Sequence, residues 1–225
     1  MSKKDPYINL YYRVVRQIAR FVKFIRGGKT YGLENVPQEG PVLIISNHNA
    51  AVDPLLTIPA FPYHVTYVGK AGLRDNAIFN WFSRNMNAIL LEDDKQELAA
   101  LRGMLNRLKE GDSIFLYPEG HRYNTGKVEP FQNGAAFLAI RAGVPIVPLA
   151  VRDMHYLFIP GKHKIQVRIG KPIILEEGLR PTKENMDVVS EQLRAAVQEL
   201  VDQCYGEGES PRIEAAPSET SQIDK

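Results

Sequence analysis

The strongest constraint on how this chain folds is an alternation. Short apolar runs rich in β-branched residues take turns with longer segments of helical period. The runs are VLIIS (Val42 to Ser46), VTYVG (Val65 to Gly69), AILL (Ala88 to Leu91), SIFLY (Ser113 to Tyr117), IVPLAV (Ile146 to Val151) and IQVRI (Ile165 to Ile169). Between and after them, Leu98, Leu101, Met104 or Leu105, and Leu108 form a helical stripe that closes with Gly111. NGAAFLAIRAG reads as a helix ending at Gly143, and Val188 to Leu200 as a last amphipathic helix. Strands alternating with helices predict an α/β fold: a single mixed, largely parallel sheet flanked by helices. Active sites of such sheets lie beyond the carboxyl ends of strands, so the loops that follow them carry the functional question.

With 225 residues, 44% of them hydrophobic and 24% charged, the chain has the proportions of one globular domain with extensions. That length buries a substantial core without disulfides. Cys204 is the only cysteine, which excludes an internal disulfide and a Cys-based zinc site and fits a reducing compartment. The first residues lack the compact uncharged segment of a secretory signal, and no apolar run is long enough to span a bilayer.

The net charge of +2 conceals an asymmetry. Up to Gly32 the chain carries Lys3, Lys4, Arg13, Arg16, Arg20, Lys23, Arg26 and Lys29 against Asp5 alone. From Gly206 onward Glu207, Glu209, Glu214, Glu219 and Asp224 outweigh Arg212 and Lys225, and this Gly/Glu/Ser/Pro-rich end reads as a disordered acidic tail. The basic leader YINLYYRVVRQIARFVKFIRG has helical period. Its apolar stripe is Ile8, Tyr11, Val14 or Val15, Ile18, Phe21 or Val22, and Ile25, with the cations on or beside the other side. A helix docked on the domain accounts for the stripe but not for the near absence of acidic residues from the polar face. A nucleic-acid arm would be basic without so much Ile, Val, Phe and Tyr. The expectation is therefore a monotopic contact with a membrane surface through residues 7–26, and no nucleic-acid partner. The chain divides into a membrane-surface helix (1–28), an α/β domain (29–205) and the tail (206–225).

SNHNAAVDP follows VLIIS directly. On an ideal helix His48 and Asp53 would stand about 140° apart, so a contact between them requires the intervening chain to leave the helix. Asp53-Pro54 supplies a reason, with Asp as N-cap and Pro at the first helical position. A helix starting at Pro54 leaves residues 48–52 as a turn that folds His48 back toward Asp53. The spacing by itself is equally that of a capped helix beside a packed histidine. No other histidine completes a metal-binding pattern with His48, and Ser46 lies outside any nucleophile elbow. The chemistry left for His48 is that of a general base acting on a substrate hydroxyl.

SIFLYPEGHRYNTGKVEPFQNG repeats the arrangement of strand then polar loop. Pro118 stops the strand, Gly120 permits a tight turn, and Glu119 and Arg122 supply charge. Arg122 suits phosphate, while a surface Glu–Arg pair is the plainer reading of the loop alone.

Taken together, NHNAAVD, YPEGHR and VPIVPLAV resemble, in order, three blocks of the glycerolipid acyltransferase family, the 1-acylglycerol-3-phosphate acyltransferase group in particular. FQNGAAFLAIRAG lies between the last two, and YVGKAGL and NWFSRNMNAILLEDD resemble the stretch between the first two. The resemblance covers roughly residues 30 to 175. It implies acyl transfer from acyl-coenzyme A or acyl carrier protein to a lysophospholipid hydroxyl, in phospholipid synthesis or remodelling. By motif match His48 is the base and Asp53 its orienting partner. Glu119, Gly120 and Arg122 help bind the glycerol phosphate head, and Lys70 adds phosphate attraction. No cofactor and no metal are implied. Localisation would be the cytoplasmic face of a membrane, peripheral or monotopic. The chain departs from the family blocks at His121 and Tyr123, where Thr and Ser are usual. It departs again at Glu92-Asp93-Asp94, where an acidic residue is usually followed by Arg. The second departure bears on the head group, leaving another lipid acceptor, or a catalytically silent lipid-binding protein, as alternatives. Arg84 and Lys95 are the nearby cations that would compensate.

Overall fold

The computed structural model describes residues 10–70, 75, 77–86, 88–91, 97–123, 125–157, 159 and 165–206. Its strands are β1 (Lys29–Tyr31), β2 (Leu43–Ser46), β3 (Val65–Lys70), β4 (Ile89–Leu91), β5 (Ser113–Leu116), β6 (Ile146–Arg152) and β7 (Gln166–Ile169). The helices are α1 (Leu10–Ile25), α2 (Asp53–Thr57), α3 (Ala77–Asn85), α4 (Glu97–Lys109), α5 (Asn133–Ala142) and α6 (Lys183–Tyr205). The strands form one seven-stranded sheet in the order β1-β7-β6-β2-β5-β3-β4. The pairings from β6 to β4 are all parallel; β7 runs against β6, and β1 runs with β7. The sheet is mixed and largely parallel, as the alternation of runs requires.

Every run read as a strand is one, within a residue at either end. Two elements carry too little signal to be read from the sequence. β1 is the three-residue edge KTY, without an apolar run of its own, and α3 falls in the aromatic stretch after β3. α6 begins earlier than the expected Val188 because its first turn is polar. Thr182 caps it, its side chain accepting from Asn185 N at 3.3 Å. α5 ends where expected, at Gly143 with a φ of 62°.

The sheet has a core on each face because successive strand residues point to opposite sides. Leu43 and Ile45 of β2, Ile114 and Leu116 of β5, and Ile146 and Ala150 of β6 pack beneath α4, α5 and α6. Ile44, Phe115, Val147 and Leu149 point the other way, toward Leu56 and Ile58 around α2 and toward Tyr12 and Val15 of α1.

α1 resolves the leader's ambiguous stripe into faces. Tyr12, Val15 and Ala19 are buried and dock the helix on α2 and the following turn Ile58–Ala60. Val14, Ile18, Phe21 and Ile25 turn outward and are 47% to 65% exposed. The cations lie beside these faces and are only partly solvated. Arg13 and Arg20 are exposed, whereas Lys23 Nζ donates to Thr30 Oγ1 at 2.5 Å and Arg26 Nη2 to Ile159 O at 2.6 Å. Among the described residues, no helix is long and apolar enough to cross a membrane. Ile8 and residues 207–225 of the expected acidic tail lie outside the described residues.

Phe115 tests the layer packing. It is fully buried on β5, stacked on Tyr67 at 4.8 Å between centroids and edge-on to Phe61 at 6.5 Å. Phe115→Ala is expected to destabilise the fold by about 3–5 kcal/mol in urea unfolding. A loss below about 1 kcal/mol would place this ring outside the core.

Candidate active site

The site begins with a register. β2 and β5 are parallel neighbours with Ile45 opposite Leu116, so the chain leaves both strands at the same sheet edge. The residues three further on, His48 and Glu119, emerge side by side, and His48 N–H donates to Glu119 Oε1 at 3.0 Å. On the other side of β2, Asn47 prolongs the ladder with its side chain. Its Nδ2 donates to Val151 O at 3.0 Å and its Oδ1 accepts from Val151 N at 2.9 Å.

The turn after Asn47 is organised by one carboxylate oxygen. Asp53 Oδ2 accepts from Asn49 N at 2.8 Å and Ala50 N at 3.0 Å, and stands 2.7 Å from His48 Nδ1. Asp53 is fully buried, and the His48 side chain keeps 19% of its exposure. The contact between the pair forms because residues 47–50 are not helical, as the angular argument demands. The expected cap is different in detail. α2 starts at Asp53, with Val52 in the N-cap position and no side-chain cap. The carboxylate reaches backward to the turn amides and the imidazole instead of forward into the helix, because it serves three converging donors there.

An ionised carboxylate only accepts, so His48 donates from Nδ1, and the lone pair of the neutral imidazole lies on Nε2. The ring is also held from one side. Tyr117, directly after β5, stacks on it with centroids 4.0 Å apart and planes at 20°. The sequence singled out no role for Tyr117; its signal is an aromatic residue at the end of a strand, ahead of Pro118. Asp53 Oδ1 is buried and hydrogen-bonds to nothing among the described residues, and the Tyr117 hydroxyl is buried as well. Burial first, then the Asp53 charge, push the Tyr117 phenol well above its ordinary range. Thr57 Oγ1 lies beneath, donating to Asp53 O at 3.0 Å and 2.8 Å from the Tyr67 hydroxyl.

The second loop encloses the first. Tyr123 N donates to His48 O at 2.8 Å, and Asn49 Nδ2 to Tyr123 O at 2.9 Å. Glu119 is only 5% exposed, and its second oxygen accepts from Glu129 N at 3.0 Å. Gly120 has a φ of 70°, and a Cβ there would collide with the Gln132 side chain, so the turn demands glycine. His121 and Arg122 are exposed at the tip. Lys70 ends β3 at the same sheet edge, and only its backbone is described. Arg84 is exposed in the last turn of α3, whereas Glu92, Asp93, Asp94 and Lys95 lie outside the described residues. Ser46 is buried, donating to Asn47 O at 2.9 Å. The structure therefore gathers His48, Asp53, Glu119, Gly120 and Arg122 at one end of the sheet, with Glu119 turned inward and Arg122 outward.

Residues 28–152 match the model of the acyltransferase family. The chain is 27% identical to a chloroplastic 1-acyl-sn-glycerol-3-phosphate acyltransferase of Brassica napus, over 84% of its own length and 62% of that protein's. It is 29% identical to a 1-acyl-sn-glycerol-3-phosphate acyltransferase of Saccharomyces cerevisiae, over 82% of this chain and 62% of that one. The chain thus spans about three fifths of the length of these curated relatives. Among solved structures it resembles the 1-acyl-sn-glycerophosphate acyltransferase PlsC of Thermotoga maritima, with a TM-score of 0.64 and 26% identity. That match covers 83% of this chain and 79% of that chain.

Burial raises the Glu119 carboxyl from 4.5 to about 7, against the lowering effect of its two backbone hydrogen bonds. Between those values the folded chain holds a proton that the unfolded chain has released. This group therefore favours the folded state most fully below about 4.5, and that contribution is lost as the pH rises through about 7. The expected midpoint for the Glu119 side-chain carboxyl carbon in a nuclear magnetic resonance titration is about 7. A midpoint at the ordinary carboxylate value would mean that water reaches the group.

Proposed function

The chain belongs to the acyltransferase family, and on that footing we propose that it transfers an acyl chain from acyl-coenzyme A or acyl carrier protein to a lysophospholipid. The acceptor is the free hydroxyl of 1-acylglycerol-3-phosphate, and the product is phosphatidate. That the relatives are 1-acyl-sn-glycerol-3-phosphate acyltransferases supports the acceptor. One observation carries the mechanism: a largely buried imidazole that keeps some exposure, 2.7 Å from a fully buried carboxylate, beyond the carboxyl ends of the central strands.

His48 Nε2 takes the proton of the acceptor hydroxyl as its oxygen attacks the thioester carbonyl. Asp53 keeps the proton on Nδ1 and stabilises the imidazolium that forms. Collapse of the tetrahedral intermediate breaks the C–S bond, and the imidazolium returns its proton to the departing sulfur. A thioester is activated already, so a positioned alcohol and a base suffice without a covalent enzyme intermediate. Arg122, exposed at the tip of the loop beside His48, grips the phosphate with Lys70 adding charge, and Gly120 gives the loop its turn. The donor thioester is a substrate, and no resident cofactor or metal enters this scheme.

The acceptor resides in a bilayer, and α1 supplies a contact for one. Leu10, Val14, Ile18, Phe21 and Ile25 face away from the domain, flanked by Arg13 and Arg20. Trp81 of α3, 58% exposed, adds an amphipathic ring edge-on to Tyr11 at 5.0 Å. The helix lies in the interface with its apolar face immersed, and each suitably placed cation adds about 1 kcal/mol on anionic lipid. The protein then sits on the cytoplasmic face as a peripheral or monotopic enzyme.

His48→Ala is expected to lower kcat by about 10²–10⁴-fold while leaving the circular dichroism spectrum unchanged. Undiminished turnover would sink the base assignment. In the wild type, thiol release must depend on added 1-acylglycerol-3-phosphate, and a panel of other lysolipids tests the head group. Release without any acceptor would indicate a hydrolase, and binding without release a silent lipid-binding protein. For the membrane contact, the double variant Ile18→Glu/Phe21→Glu alters only exposed positions. It should lose flotation with vesicles of phosphatidylcholine and phosphatidylglycerol; binding equal to wild type would remove α1 from the interface.

A further inference from the structure

Glu119 sits in the loop that faces the acceptor, yet its geometry is that of an internal clamp. The side chain is 5% exposed. Oε1 accepts from the main-chain N–H of His48 and Oε2 from that of Glu129, each at 3.0 Å. The first bond crosses 71 residues of sequence, and the second closes residues 119–129 into a ring that carries His121, Arg122 and Tyr123. The His48 peptide is held from its other side as well, its carbonyl accepting from Tyr123 N at 2.8 Å. Both polar atoms of the His48 main chain are therefore fixed by this one loop.

A carboxylate in this position makes a poor ligand for a phosphomonoester. Both of its oxygens already accept from main-chain amides, so neither is turned toward an acceptor head group. Two amide donors on one carboxyl group are the arrangement that fixes a backbone. We propose that Glu119 is a positioning residue, which sets where the His48 ring stands and closes the 119–129 loop, and does not touch the acceptor. This rests on the acyl-transfer reading above.

The distinction from a head-group ligand lies in how kcat and KM divide. Glu119→Gln keeps the shape but substitutes an NH2 donor for one acceptor oxygen, so one of the two amides loses its partner. A shift of His48 by a fraction of an ångström lowers the chemical step, whereas the long, exposed side chain of Arg122 takes up a small displacement of the loop and still reaches the phosphate. The expected result is a fall in kcat of about 10- to 100-fold. The KM for 1-acylglycerol-3-phosphate in mixed micelles stays within about twofold, as for an interaction absent from ground-state binding. A KM raised about tenfold or more with kcat unchanged would overturn the proposal and make Glu119 a ligand of the head group.

Should Glu119→Gln fail to fold, the wild type decides. Saturating 1-acylglycerol-3-phosphate should move the Arg122 guanidinium resonances and leave the Glu119 carboxyl carbon in place, and an equal movement of that carbon would overturn the proposal. Failure of the broader reading looks different, because the wild type would then release no thiol in response to the lysolipid.

Discussion

The parallel pairing of β2 with β5 is the constraint on which the rest of the site depends. A strand advances about 3.3 Å per residue, so a two-residue slip would carry Glu119 about 6.6 Å from the His48 amide, beyond any hydrogen bond. A one-residue slip would exchange Ile44 with Leu43 and Ile45 between the two cores. Those residues are fully buried in different clusters, one under α1 and α2 and the other under α4, α5 and α6. The apolar pattern of strands far apart in sequence therefore sets the distance between His48 and the Glu119 carboxyl that anchors it. Packing and chemistry are the same constraint read at two ends of one strand.

Asp53 concentrates a second constraint on one atom. Its Oδ2 gathers the Asn49 and Ala50 amides and the His48 imidazole, so the shape of the turn and the tautomer of the ring are fixed together. A buried carboxylate tolerates desolvation only when donors converge on it, and here the turn provides two of the three. The stack of Tyr117 on His48 then removes the ring's remaining rotational freedom. His48 is held by a hydrogen bond in its plane, an aromatic face against its plane and two loop contacts to its backbone.

The strands and the two loops were legible because their signals are local: apolar runs, a proline after a strand, a glycine at a turn. β1 was not, because KTY is too short and polar to differ from a linker, and only its pairing with β7 makes it a strand. Asp53 could be read as a partner for His48 but not as a hub, since sequence spacing does not tell which way a carboxylate points. Glu119 marks the same limit more sharply. Its type and its place in the loop suggest a ligand, and the hydrogen bonds that turn it inward come from residues 71 and 10 positions away. Tyr117 showed only as an aromatic residue at a strand end, because stacking depends on the relative height of two neighbouring strands.

α1 shows why periodicity alone underdetermines function. A helical stripe states which residues share a face and is silent about what that face meets. Tyr12, Val15 and Ala19 meet the domain, while Val14 and Ile18, each one position before a buried residue, meet its surroundings together with Phe21 and Ile25. Ala19 matters here because a small residue lets the helix axis approach the surface it covers. That surface is α2 and the turn after it, and α2 begins with Asp53. One short helix thus separates the outward apolar face from the carboxylate that orients His48. On the proposed function this adjacency has a physical use: the acceptor's acyl chain stays in the bilayer at α1 while its glycerol hydroxyl reaches a base fixed a single layer behind.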